Sequence, residues 1–299
     1  MCQFCVQHGD GRSWYLEASS YAYDLERDLR RRRYMVDFVQ EFAGNRESAL
    51  TNLARLERLP APLRDLGRAV ASSRMKKLHY GQPVPIEECD EIFGIATSIV
   101  RLPCPCRYWA GTHDEGYCLA ITTKPIDAVL DEAFRDYDVG PDTSKFQYLT
   151  RAEAMELLRR SEEEGLMHSV WTFLTPFIGA ICNCSLEAGC MAMRITVEHA
   201  TPIMFKGHNV ATCDAEACVG CAECVERCPF GALAVGPRTR RATVDPKACY
   251  GCGVCRSACE RHALSLTPRQ GAPIASLVTT GVGGLRPRTP DRAREAAAQ

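Results

Sequence analysis

The last third of the sequence contains an internal repeat, in which ATCDAEACVGCAECVERC (residues 211–228) is followed by ATVDPKACYGCGVCRSAC (residues 242–259). Residue n of the first stretch aligns with residue n + 31 of the second. Four cysteines align with four cysteines, Gly220 aligns with Gly251, and Asp214 aligns with Asp245. A duplication of this kind predicts two copies of one supersecondary unit packed against each other.

The cysteine spacing predicts a pair of polynuclear metal sites. A CxxCxxC loop curls around one corner of a cubane, and the fourth cysteine of each run reaches the other cluster. A zinc ribbon is the alternative for any CxxC pair, but two complete four-cysteine runs favour iron and sulfide. The predicted ligands of the first cluster are Cys218, Cys221, Cys224 and Cys259. The predicted ligands of the second cluster are Cys249, Cys252, Cys255 and Cys228.

Residues 205–267 resemble the bacterial two-cluster ferredoxins through these two motifs. The resemblance implies a pseudo-twofold βαββαβ fold, two 4Fe-4S clusters and low-potential one-electron transfer. The first motif ends in Cys228-Pro229 and the second in Cys259-Glu260, which departs from the family pattern. The missing proline is not a ligand, so we expect both clusters to form. Cys213 aligns with Val244 and is predicted to be a small apolar core residue.

A second group of cysteines precedes the repeat in two packets, CPCRYWAGTHDEGYC (residues 104–118) and CNCSLEAGC (residues 182–190). Residues i and i+2 of an extended segment point to the same side, so both thiols of a CxC can face one metal. Each packet follows a predicted short strand, which places the two loops at one edge of a sheet around one site. The candidate ligands are Cys104, Cys106, Cys118, Cys182, Cys184 and Cys190.

Several occupants fit these six thiols. Four of them suffice for a third 4Fe-4S cluster or for zinc, and all six could hold something larger. The alternatives without metal are free buried thiols or a reversible disulfide. Iron–sulfur is favoured because the chain already has ligands for two clusters. Spare thiols, with Arg107 and His113 nearby, leave room for an open iron and substrate chemistry.

Most of residues 85–265 resemble a group of ferredoxin-like proteins of anaerobic prokaryotes. The resemblance is carried by the CxCR segment, by GLMH at residues 165–168, by the CNC segment and by the two-cluster motifs. It implies redox work and does not name a reaction.

The remaining sequence completes an α+β prediction with four parts. Residues 1–84 are predicted to be a helical region, with helices over 23–42 and 46–59 and a third that ends near residue 78. Residues 85–204 are predicted to be a cysteine-rich α/β region, residues 205–267 the ferredoxin domain and residues 268–299 a disordered tail. Cys2, Cys5 and His8 form CxxCxxH, which fits half a metal site, a redox-sensitive disulfide or a plain thiol pair.

Composition excludes several classes of function. With 36 basic and 37 acidic residues, the formal net charge of −1 gives no electrostatic footprint for nucleic acid. The longest apolar stretch, residues 170–182, is too short for a membrane span and is broken by Pro176 and Gly179. The first residues, MCQFCVQHGDG, have neither the basic n-region nor the apolar h-region of a signal peptide. We therefore expect a cytoplasmic protein with reduced thiols.

The predicted function is electron transfer rather than stand-alone catalysis. Neither a dinucleotide-binding fingerprint nor a Walker A motif is present, so electrons are expected to pass to a redox partner protein or within a larger oxidoreductase complex. One alternative is an oxidoreductase that reduces a substrate at the central cysteines. Another is a redox-sensing regulator whose helical region responds to oxidation.

Overall fold

The computed structural model describes residues 13–21, 27–112, 116–124, 127–134 and 146–269. The predictions made for Cys2, Cys5, His8 and His113, and for the tail from residue 270, lie outside these residues. Within the described residues, no helix is long and apolar enough to cross a membrane.

Three helices follow two short 3-10 turns at Trp14–Leu16 and Ala18–Ser20. They are α1 (Leu29–Gln40), α2 (Phe42–Glu57) and α3 (Ala61–Leu78). The helical prediction for this region is therefore confirmed over the residues described. Trp14 and Tyr15 are buried and pack against the next part of the chain, because Trp14 Nε1 donates to Gln82 and the Tyr15 hydroxyl donates to Glu88.

A six-stranded antiparallel sheet forms the centre of the molecule, in the order β1-β5-β6-β3-β2-β4. Its first strand lies near the end of the predicted helical region 1–84, so that region also contributes an edge strand. The strands are β1 (Gly81–Pro83), β2 (Ser98–Leu102), β3 (Cys118–Thr122), β4 (Gln147–Tyr148), β5 (Met167–Thr172) and β6 (Ile178–Cys184).

In the part of the chain that the structure describes, five helices connect or flank these strands. They are α4 (Ile86–Ile95), α5 (Pro105–Ala110), α6 (Asp127–Phe134), α7 (Arg151–Glu163) and the single turn α8 (Met191–Met193), which continues into a π-helical turn at Arg194–Glu198. A capping box begins α7: the Glu153 amide donates to Thr150 Oγ1 at 3.3 Å, and the Thr150 amide donates to the Glu153 carboxylate at 2.8 Å. Gly165 then ends this helix with a φ of +80°.

The segments predicted as cysteine loops contain more regular structure than expected. Pro105 starts α5 inside the first packet, because a proline fits the first turn of a helix where its missing N–H is not needed. Cys118 starts β3, and Cys182 and Cys184 lie in β6. The helix α4 stops at Ile95, since Ser98 already pairs with Thr122 in the sheet.

The last six elements are β7 (Asn209–Cys213), α9 (Glu223–Arg227), β8 (Leu233–Val235), β9 (Ala242–Val244), α10 (Val254–Ser257) and β10 (Leu264–Pro268). They have the βαββαβ order that the resemblance implied. The repeat also relates the strand pairs: Leu264 faces Cys213, and Leu233 faces Val244. Arg269 donates to the carbonyls of Asn209 and Cys249, so ordered structure reaches two residues beyond the predicted boundary at 267.

The ferredoxin-like part and the central sheet share one apolar core. Met167, Trp171 and Met204 belong to the same buried cluster as Phe230 and Tyr250, together with cysteines from both parts. Polar contacts reinforce this junction. The Arg256 guanidinium pairs with both carboxylate oxygens of Glu87 at 2.8 and 3.1 Å. The Arg227 guanidinium donates to the Glu164 carbonyl.

Candidate metal centres

Two cavities lie inside the βαββαβ unit, and each combines cysteines from both halves of the repeat. The lining of the first includes Cys218, Cys221, Cys224 and Cys259. The lining of the second includes Cys249, Cys252, Cys255 and Cys228. The structure therefore brings together the same two sets of four that the sequence predicted.

Backbone amides point at the sulfurs of these cysteines in equivalent positions of the two halves. Ala242 N–H donates to Cys218 Sγ at 3.3 Å, and its repeat partner Ala211 donates to Cys249 Sγ at 3.4 Å. The amide of Ala232 likewise approaches Cys228 Sγ. Donation from Ala242 lowers the pKa of Cys218. Such N–H···S bonds stabilise thiolates, which are the form that binds iron.

Three of the other thiols lie where burial disfavours their charged form. Burial, followed by the nearby cysteines, raises the pKa of Cys224 to about 11 and that of Cys255 to about 12. Burial also raises the pKa of Cys252. Gathering four thiolates around one cavity is unfavourable unless a cation shares their charge. The donor set and the cavities fit a polynuclear iron–sulfur group.

Glycines set the shape of both CxxCxxC loops. Gly220 has a φ of +73° and Gly251 a φ of +74°. A Cβ on Gly220 would lie 2.3 Å from the carbonyl oxygen of Arg240, and one on Gly251 would lie 2.2 Å from that of Asn209. Arg240 and Asn209 are themselves 31 residues apart, so both halves use the same close backbone approach.

We expect Gly220→Ala to destabilise the first loop. The left-handed conformation costs a non-glycine residue about 1–2 kcal/mol, and the contact with a backbone oxygen adds to this. Thermal denaturation under anaerobic conditions should show a lower midpoint and early iron release. Gly44→Ala is the matched control, because a Cβ added there would meet nothing within 4 Å and alanine favours helix by up to about 1 kcal/mol. Equal midpoints for the two variants would contradict the prediction.

The six central cysteines converge on one place in the fold. Cys118 of β3 faces Cys182 of β6 across an antiparallel pair, and Cys184 lies two residues further along the same face of β6. The Cys104 thiol is in hydrogen-bonding contact with the thiols of Cys106 and Cys118. Two further contacts complete the group: the thiols of Cys118 and Cys182 touch, as do those of Cys184 and Cys190.

The two packets also influence each other electrostatically. Hydrogen bonds from Cys106 and Cys118 hold the pKa of Cys104 well below its usual range, and the pKa of Cys106 is raised first by its bond to Cys104. Cys190, from the other packet, raises the pKa of Cys106 further. The pKa of Cys184 is raised by its bond to Cys190 and by burial, and charge on Cys104 raises it further. We treat these six thiols as a single candidate site, which we call the central cysteine site.

Arg107 lies beside the central cysteine site. The residue is 7% exposed, and its guanidinium carbon is 3.9 Å from the centroid of the Tyr117 ring. The charge on Arg107 helps to lower the pKa of Cys104. The Nε and Nη2 atoms are buried, and no described residue accepts a hydrogen bond from either of them.

Sequence reasoning did not foresee the pair formed by His168 and Asn183. These residues lie opposite each other on β5 and β6, and His168 Nδ1 is 2.7 Å from Asn183 Oδ1. The Asn183 amide then donates to the Tyr117 carbonyl. Asn183 lies between Cys182 and Cys184, so its side chain occupies the other face of the sheet. The GLMH and CNC segments thus contact each other and hold β6 in register.

Two further cysteines belong to none of these sets of candidate ligands. Cys213 borders the first cavity without belonging to either set of four. Cys89 is buried in the core around α4. No disulfide joins two of the cysteines that the structure describes. Within the described residues, no group of three or more His, Cys, Asp or Glu side chains is arranged to hold a single metal ion.

Comparison with known proteins agrees with the geometry of the C-terminal unit. Residues 217–263 match the family model of the 4Fe-4S dicluster domain. This part of the chain is therefore a 4Fe-4S dicluster domain, which supports iron–sulfur electron transfer. The match covers both four-cysteine motifs and does not include the central cysteine site. No curated protein sequence is significantly similar to the chain.

Proposed function

We propose that this protein is a low-potential electron carrier, or the electron-transfer subunit of a larger oxidoreductase. Two 4Fe-4S clusters would be held by the crossed sets of four cysteines and would supply one-electron transfer. The observation that carries the proposal is the composition of the two cavities. Each is lined by three cysteines of one motif and the fourth of the other.

The two cavities differ in the exposure of the residues around them, and this difference favours one direction of electron transfer through the molecule. Near the first cavity Cys221 is exposed and Val219 is 51% exposed. The repeat partner of Val219 is Tyr250, which is 2% exposed and stacks on Phe230 at 3.9 Å between ring centroids. Tyr250 and Phe230 line the second cavity and belong to the core shared with the central sheet. The exposed end would exchange electrons with a redox partner protein.

We further propose that the central cysteine site holds a third metal or redox centre. Six thiols from two adjacent strands and the segments beside them converge there, and Cys184 and Cys190 belong to the same buried cluster as the dicluster cysteines. Electrons entering at the exposed end would reach this centre through the second cluster. The ligand candidates are Cys104, Cys106, Cys118, Cys182, Cys184 and Cys190.

Two other functions remain alternatives with specific support. Six thiols exceed the four that a cubane needs, which favours an oxidoreductase that reduces a substrate at this centre. The contact between the Cys118 and Cys182 thiols on adjacent strands favours a disulfide-based redox sensor. The oxidoreductase hypothesis predicts a metal at the central cysteine site, whereas the sensor hypothesis predicts a thiol pair without metal.

An anaerobic reductive titration followed by electron paramagnetic resonance tests the carrier function. We expect reversible uptake of about one electron per cluster, with the magnetic interaction of two close centres. Reoxidation by a one-electron acceptor should restore the starting spectrum without consuming the protein. A protein that takes up no electrons reversibly, although its iron is intact, would contradict the proposal. Oxidation that forms a Cys118–Cys182 disulfide in a protein without central metal would support the sensor.

A further inference from the structure

The Arg107 side chain is buried and lacks a full set of hydrogen-bond acceptors. Two of its nitrogens, Nε and Nη2, find none among the described residues. A buried, unsatisfied donor on a charged group is strongly unfavourable, so native structures rarely contain one unless a partner completes it. The nearest aromatic contact, Tyr117, offers a ring face and cannot replace an acceptor for both nitrogens.

The surroundings of Arg107 indicate an anionic occupant. Its charge acts on Cys104, which is in contact with two other thiols of the site. Arg107 follows Cys106 in the first turn of α5, and Tyr117 precedes Cys118, so both residues are held next to ligand candidates by the backbone. A cluster ligated by several thiolates is negatively charged, and its sulfides accept hydrogen bonds. The guanidinium would supply positive charge and hydrogen-bond donors to such a cluster. The cluster would supply the acceptors that Nε and Nη2 need.

We propose that the central cysteine site binds an anionic iron–sulfur cluster and that Arg107 is its buried positioning residue and countercharge. The inference rests on the proposed third centre and extends it by naming the chemistry of the occupant. Arg107 donates through Nε and Nη2 to the cluster or its thiolate ligands and raises its reduction potential. Adding an electron increases the negative charge of the cluster, so a nearby fixed positive charge stabilises the reduced form.

The test compares Arg107→Gln with Arg107→Lys and Arg159→Gln in the full-length protein. Arg159 lies on the exposed side of α7, where its side chain is 58% exposed and pairs with Glu156. Each protein is prepared anaerobically, its iron is counted, and each centre is titrated potentiometrically by electron paramagnetic resonance. We expect Arg107→Gln to lower the ratio of reduced to oxidised third centre at least roughly tenfold at a fixed potential, or to empty it. A tenfold change corresponds to about 59 mV for a one-electron couple.

Arg107→Lys keeps the charge, and Arg159→Gln removes a solvated one. We expect both variants to retain the third centre, with a smaller change or none in its potential. The dicluster signals provide the folding control, because they should be the same in all four proteins. An unchanged third-centre potential in Arg107→Gln would overturn the proposal. So would equal behaviour of Arg107→Gln and Arg107→Lys, because lost packing over Tyr117 would then explain the result.

The failure of this inference is distinguishable from the failure of the carrier function. A wild-type protein with about eight irons, reducible and without a third centre, overturns the role of Arg107 and leaves two-cluster electron transfer intact. A protein that lacks the dicluster signals contradicts the carrier function whatever Arg107 does.

Discussion

Cys224→Ala and Cys259→Ala are expected to lose the same cluster, although the two residues belong to different motifs and are 35 positions apart. Both cysteines line the first cavity. Each single variant should therefore lose about four irons, and the double variant should lose no more than either single variant. The physical reason is that a cubane deprived of one thiolate in this cavity is already lost, so a second removal at the same site adds nothing.

A second double variant gives the matched contrast. Cys224→Ala combined with Cys228→Ala stays within one motif, but these two cysteines line different cavities. This variant should lose about eight irons. Iron and sulfide analysis of the anaerobically purified proteins measures both cases. Cys213→Ala is the control, because it removes a thiol at the border of the first cavity and should leave both clusters in place. If each cluster were instead ligated by the four cysteines of one motif, the double variant Cys224→Ala/Cys259→Ala would lose about eight irons and Cys224→Ala/Cys228→Ala about four.

The second large effect is expected at the central cysteine site. Cys104→Ala and Cys184→Ala remove one thiol from each packet, and both should release the metal of the third centre while the dicluster domain keeps about eight irons. Charge on Cys104 contributes to the raised pKa of Cys184, after the bond from Cys190 and burial, so we expect the two packets to enclose one site. The double variant should therefore match the single variants. Losses that add in the double variant would mean that the packets bind separate metals.

Cys89→Ala is the control for the central variants. Cys89 is fully buried in the core around α4 and lies outside the central cysteine site, so its removal takes away a thiol without a predicted ligand role. Its cost in stability should be that of a small cavity, about 1 kcal/mol, with the metal content unchanged. Metal loss in Cys89→Ala comparable to that in Cys104→Ala would show that loss of stability, rather than loss of ligands, empties the site.

The dicluster domain could be predicted almost completely from the sequence because its signals are local. The offset of 31 residues aligns Gly220 with Gly251, and the structure gives both a similar positive φ and the same close backbone approach. A CxxCxxC spacing makes the backbone curl around one corner of a cubane, so the spacing alone predicts which thiols lie around each cavity. The different burial of Val219 and Tyr250, by contrast, depends on the neighbouring central sheet and does not follow from the repeat.

The central region was predicted less well because its geometry depends on long-range pairing. The sequence indicated that a CxC segment presents two thiols to one side, and β6 does this with Cys182 and Cys184. It did not indicate that Cys118 starts a strand opposite Cys182, since register between distant strands has no local signature. The unsatisfied nitrogens of Arg107 and the pairing of His168 with Asn183 become visible only when the strands are assembled.

Metal analysis of the anaerobically purified protein tests the central claim most directly, by measuring iron, acid-labile sulfide and zinc per chain in one preparation. We predict about twelve irons or more, with matching sulfide and no zinc, which corresponds to two 4Fe-4S clusters and a third iron–sulfur centre. About eight irons with one zinc, or about eight irons alone, would contradict a third iron–sulfur centre and leave a two-cluster carrier. Fewer than about eight irons, with dicluster cysteines that remain reactive toward a thiol reagent, would contradict the electron-transfer function itself.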